Sequence, residues 1–190
     1  LKLLESPAGT MTAGTTWAEL GFCAMTLGDN ELAGEVFDKG LNHPTMFMRL
    51  ERPRLLAGLA LLALNNGDSD QAMQLAEEAV DYTTERKMRH MMPIVKHTLG
   101  EVLAARGANA QALAAFHDAE KGALALGMLP DAWKAQLAAA DILAKEGDVA
   151  AAQAQGDQAR AVVQEIAAGF TDETLKSADL ETTLKRFKAV

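Results

Sequence analysis

Few side chains in this sequence stand at spacings that do chemistry. His97 and Glu101 are four residues apart, so on a helix they share a face and could supply two ligands to a metal ion. A third and fourth ligand are missing. His90 lies seven residues before His97 across Pro93, and His117 falls on a second helix. The pair is therefore expected to sit on a helix surface with no metal. Cys23 is the single cysteine and has no cation close to it in sequence, so it is expected to be a small buried hydrophobe rather than a reactive thiol. Two basic clusters stand out: Arg49, Arg52 and Arg54, then Arg86, Lys87, Arg89 and His90. They are expected to be solvated or paired with neighbours such as Glu51 and Glu85, with a bound phosphate or acidic peptide as the alternative. There is no P-loop, no GxGxxG, no HExxH, no GxSxG and no CxxC. The expectation is a chain without catalytic residues and without a cofactor.

Composition narrows the class further. The chain has 190 residues, 49% hydrophobic and 23% charged, which is the mix of a folded protein. Alanine is abundant, aromatics are 5% and prolines number 5, a balance that favours closely packed helices over strands. The formal charge of −8 leaves no electrostatic footprint for nucleic acid or for anionic lipid. No apolar run approaches the roughly 18–20 residues that span a bilayer. One cysteine cannot close an internal disulfide and fits a reducing compartment, so the expected location is cytoplasmic.

An internal repeat supplies the elements. Gly28, Gly67, Gly107 and Gly147 lie 39, 40 and 40 residues apart. Five residues after each comes alanine (Ala33, Ala72, Ala112, Ala152), and seven before comes Gly21, Ala60, Gly100 or Ala140. Apolar residues recur at i, i+3, i+4 and i+7 over 15–27, 53–66, 93–106 and 131–146, which predicts the first helix of each hairpin. Each ends at its glycine, free to take the left-handed conformation that closes a helix. Asp29, Asp68, Asn109 and Asp148 then cap second helices over 30–41, 69–87, 109–126 and 149–168. Met48, Met88 and Met128 repeat at the same 40-residue spacing and are expected to pack where one hairpin docks on the next. Pro53 and Pro93 suit a first helical turn, so the stretches around these methionines read as equivalent joints.

These residues resemble the tetratricopeptide-repeat (TPR) pattern. The first copy carries Trp17, Leu20, Gly21, Gly28, Ala33, Phe37 and Gly40, and the third carries Leu99, Gly100, Gly107, Ala112, Phe116 and Ala119. The second has Ala76 in place of the aromatic, and the fourth has Gly156 there and Ala139 for the leucine. The period exceeds the usual 34 residues by about one and a half helical turns. This long variety is similar to the maltose-regulon activator type and to the C-terminal arms of bacterial signal-transduction ATPases and of adenylate and guanylate cyclases. The resemblance implies an all-α, right-handed superhelix (an α-solenoid) of four hairpins at about 15–48, 49–88, 89–128 and 129–168. A linker would occupy 1–14. A link and capping helix would occupy 169–190, with Leu175, Leu180, Leu184 and Phe187 on the apolar side.

Function follows as an expectation from the same resemblance. First helices would line a concave face made by Phe22, Met25 and Thr26, then Arg54, Leu61, Leu64 and Asn65, then Ile94, His97 and Glu101, and last Lys134, Leu137, Asp141 and Lys145. Such a face would bind a peptide, a partner protein or an upstream domain of the same chain. Leu1 is no natural start, so the chain is expected to be the regulatory arm of a larger bacterial signalling or transcription-regulatory protein. The alternative is a small-molecule-sensing repeat domain; membrane and nucleic acid are not expected partners.

Overall fold

The computed structural model describes residues 13–43 and 46–171, and among them every regular element is a helix. In order these are α1 (Ala13–Thr26), α2 (Asn30–Asn42), α3 (Met46–Asn65), α4 (Ser69–Glu85), α5 (Met92–Ala105), α6 (Asn109–Ala125), α7 (Leu129–Lys145) and α8 (Val149–Ala168). The opening 1–12 and the expected capping helix with Leu175, Leu180, Leu184 and Phe187 lie outside the described residues. No described helix is long and apolar enough to cross a membrane.

The hairpins close as their sequences dictate. Gly28, Gly67, Gly107 and Gly147 all have φ between 75° and 85°, where a β-carbon is disfavoured. Each lets the backbone reverse within a few residues. Asp29, Asp68 and Asp148 accept hydrogen bonds from the amides of Leu32, Gln71 and Ala151, satisfying one orphan donor of each second helix. The third copy differs: Asn109 lies inside α6, and Ala108, which has no side-chain acceptor, holds the N-cap position.

Hairpins stack in chain order, and the stacking is one-sided. α1 packs on α3, α3 on α5 and α5 on α7, while α2, α4 and α6 each pack on the odd helices before and after them and α8 packs on α7. The odd helices thus form one continuous layer and the even helices the other, an α-solenoid. Small residues allow the close approach: Ala60, Ala72, Ala76, Ala112, Ala140 and Ala159 are fully buried. Aromatics fill the space where glycine leaves room. A β-carbon on Gly21 or Gly58 would stand 2.2 or 2.4 Å from the Phe37 ring, and one on Gly100 would stand 2.5 Å from that of Phe116. In the second copy Ala76 replaces the aromatic, and Ala60 faces it in place of glycine, so the packed volume is shared differently.

One joint departs from the expected repeat. Chain reversal occurs at 86–91 and at 126–128, with Lys87 (φ 54°) and Gly127 (φ 68°) in left-handed conformations. Pro93 and Pro130 occupy the first turns of α5 and α7. The segment around Met48 is instead helical, α3 begins at Met46, and Pro53 lies inside it. A proline there cannot donate to the carbonyl of Arg49, four residues back. That carbonyl accepts from the Tyr82 hydroxyl of α4 at 3.0 Å, so the gap in the helix ladder is filled from the neighbouring helix. Among the joint methionines Met88 is buried and Met128 is half-buried, whereas the Met48 side chain lies outside the described residues.

Candidate interaction site on the inner face

Four successive odd helices contribute to a single groove of about 360 Å³. α1 supplies Glu19 and Phe22, α3 supplies Arg54 and Leu61, α5 supplies Ile94, His97, Thr98 and Glu101, and α7 supplies Asp131 and Lys134. A single groove thus runs along the odd-helix layer from α1 to α7. It continues into a second hollow of about 240 Å³, where His97, Glu101 and Lys134 meet Trp133, Leu137 and Asp141.

The lining follows the repeat register. Six residues before each turn glycine stand Phe22, Leu61, Glu101 and Asp141, so this row passes from apolar to acidic along the stack. Thirteen residues before the last three glycines stand Arg54, Ile94 and Lys134, which places cations at both ends of a second row. At the α1 end Arg54 bridges to Glu19 on the neighbouring helix and approaches Glu51 at 3.7 Å, and its guanidinium lies 5.9 Å from the Phe22 ring centre. Phe22 in turn meets Phe37 edge-on, with ring centroids 5.4 Å apart. These contacts hold an arginine and an aromatic side by side without a mobile loop.

Further along, His97, Glu101 and Lys134 form the polar centre. Burial holds His97 down at about 4, with the nearby Lys134 charge acting in the same direction. Burial pushes the Glu101 carboxyl up to about 7, opposed by Lys134. At neutral pH His97 is therefore an uncharged imidazole, and its 3.9 Å approach to Glu101 is not an ion pair. Its ring lies against Phe116, centroids 5.4 Å apart, so the core aromatic of the hairpin also fixes the groove histidine. Burial raises Asp141 as well, with Lys145 opposing. Among the described residues, no three His, Cys, Asp or Glu side chains gather where they could hold a metal ion.

The inward residues named from the sequence separate into three sets. Phe22, Arg54, Leu61, Ile94, His97, Glu101, Lys134, Leu137 and Asp141 line the two hollows. Met25 and Leu64 are half-buried against the interhelical core. Asn65 and Lys145 are exposed at the C-terminal ends of α3 and α7, and Thr26 donates its hydroxyl to the Phe22 carbonyl at 2.9 Å. Glu19, Thr98, Asp131 and Trp133 also line the hollows, and the sequence reading missed them. Thr98 occupies the register position of Glu19, nine residues before its glycine, so a full extension of the register would have found both.

Cys23 is exposed, contrary to expectation. Its register counterparts Leu62, Val102 and Ile142 are buried because the second helix of the preceding hairpin covers them. In α1 that side faces the open end of the described stack. The basic clusters do pair as expected in part: Arg54 with Glu51 and Arg86 with Glu85, the latter at 3.6 Å. Tyr82 links the two clusters, with Arg86 stacked 3.9 Å from its ring centre and Arg52 at 5.6 Å.

No family model matches the chain, and no curated protein matches it. Among solved structures, the crystal structure of BtubC (BKLC) from P. vanneervenii matches with a TM-score of 0.69 and 15% identity, covering 97% of this chain and 76% of that one. At that identity the likeness shows the fold alone.

Proposed function

We propose that this chain is a non-catalytic protein-interaction module of the TPR type, acting as the regulatory arm of a larger bacterial signalling or transcription-regulatory protein. Its inner groove takes an extended peptide, a partner helix or an upstream segment of the same polypeptide. The observation that supports this reading is the single groove running across all four odd helices, with Phe22 and Leu61 as apolar ground and both signs of charge around it. Apolar contacts there supply affinity, and Arg54, Glu101 and Lys134 fix register and direction.

A photo-crosslinking residue at Leu61 tests the reading in the source organism. We expect a discrete adduct or an internal crosslink from Leu61 and none from Glu77, which is exposed on α4. Equal adducts from both positions, or none from Leu61, would sink it. The neutral His97 beside a half-titrated Glu101, in a hollow within the size range of small-molecule sites, favours ligand sensing as the second reading. In that case a single metabolite raises the melting temperature of the isolated chain, and changing Glu101 to glutamine abolishes the shift.

A further inference from the structure

A second groove, of about 460 Å³, lies at the edge of the stack where the second hairpin joins the third. It shares no residue with the inner face. Its walls are apolar, made by Met88, Met92, Gly122, Ala125 and Leu126, and Lys87 and Arg89 stand on its rim.

The repeat register explains why this groove exists here. Fifteen residues after the turn glycine the last three copies carry Tyr82, Gly122 and Val162. In the second copy the Tyr82 ring covers the start of its own first helix, reaching the Arg49 carbonyl and stacking with Arg86. In the third copy the residue is glycine, and its missing β-carbon would stand 3.3 Å from Pro93 at the start of α5. The ring that Tyr82 supplies in one hairpin has no counterpart in the next, where Pro93 comes close to Gly122 and the groove lies alongside. Leu124 and Leu126 beside it are 45% and 41% exposed, extending the apolar surface beyond the notch.

The rim is built at a cost. Lys87 holds a left-handed conformation, φ 54°, where the equivalent joint of the next hairpin uses Gly127. A β-carbon is crowded by the neighbouring carbonyl in that conformation, so the joint keeps a lysine where glycine would sit without strain. Lys87 and Arg89 are exposed, and no described carboxylate pairs with either, in contrast to Arg52, Arg54 and Arg86 nearby. An apolar notch with two cations at its lip, both without a carboxylate partner among the described residues, matches an anionic, apolar-anchored partner.

We propose that this edge groove is a second docking site, for an acidic segment of a partner protein that inserts one bulky apolar side chain into the notch over Gly122 and sets carboxylates against Lys87 and Arg89. Peptides selected from a random displayed library on the full 190-residue chain provide the probe. The expected winners carry a Leu, Phe or Met flanked by Asp or Glu. They lose at least tenfold in affinity to Gly122→Tyr, which gives the third hairpin the residue of the second, and to Lys87→Glu/Arg89→Glu. Both variants should keep the helical circular-dichroism spectrum and cooperative melting of the parent chain. Should Gly122→Tyr fail to fold, Ala125→Glu at the groove wall serves in its place. Selected peptides that bind these variants as tightly as the parent overturn the proposal, as does a selection without acidic–apolar enrichment. Peptides that instead lose binding to Arg54→Glu/Lys134→Glu support the inner face and overturn the edge site, so the two readings fail separately.

Discussion

At the residue scale, the inner groove sets two half-buried titrating groups against each other. Glu101 is raised from 4.5 to about 7, so the folded state holds a proton that the unfolded chain has released. Its contribution to stability therefore falls as pH rises through that window. His97 is lowered from 6.5 to about 4, so its contribution falls as pH drops through its own window. Between these limits the two slopes oppose. Glu101→Gln should thus gain melting temperature relative to the parent as pH rises from about 4.5 to about 8, and the advantage should vanish at the acid end. His97→Gln should show its advantage at the acid end instead. Parallel melting curves for parent and variants across this range would show that neither group titrates abnormally. Gly21 tests packing at the same scale. Alanine in a helix interior is ordinarily more stable than glycine by about 1 kcal/mol, but here its β-carbon would overlap the buried Phe37 ring. Gly21→Ala should therefore lose about 1–3 kcal/mol in urea unfolding, as an overpacked site, and Gly21→Ala with Phe37→Leu should recover part of it. A stabilised single variant would mean that the ring moves aside freely.

At the element scale, the four hairpin turns share a glycine and differ in their caps. Asp68 caps α4 through the Gln71 amide, whereas Ala108 has nothing to offer α6. Asp68→Ala should cost about 0.5–2 kcal/mol, and Ala108→Asp should return a similar amount by restoring the missing cap. Chemical denaturation of both variants checks the pair; equal and negligible shifts would show that water serves these amides as well as the side chain does. Most of this level was legible in the sequence, because a glycine followed by aspartate between two apolar periodic stretches leaves little choice of local structure. The start of α3 was not. Pro53 reads as a helix beginning, but the chain is helical from Met46 past it, and the Tyr82 hydroxyl, arriving from another helix, fills the gap at the Arg49 carbonyl.

At the scale of the whole molecule, stability in a stack of hairpins is a sum of neighbouring interfaces, so the ends matter most. The amphipathic stretch 173–189 is the expected cover for one end. Deleting residues 173–190 should lower the melting temperature by several degrees and cause self-association on a sizing column. A truncated chain that stays monomeric and melts unchanged would show that this stretch covers nothing. The sequence by itself determined the all-α class, the four hairpins, their turns and most of the inner row, because each rests on periodicity and on local backbone chemistry. Tertiary structure decided what depends on neighbours distant along the chain. Cys23 is exposed because no described helix lies over it, though its counterparts are buried. His97 is neutral and Glu101 protonates near neutrality because burial in the groove strips their solvent. The edge groove is lined by Gly122 of α6 together with Met88 and Met92 from the preceding joint, which only the stacking of the second hairpin on the third brings together. Spacing along a chain fixes which residues share a face, but only packing fixes how much water each of them keeps.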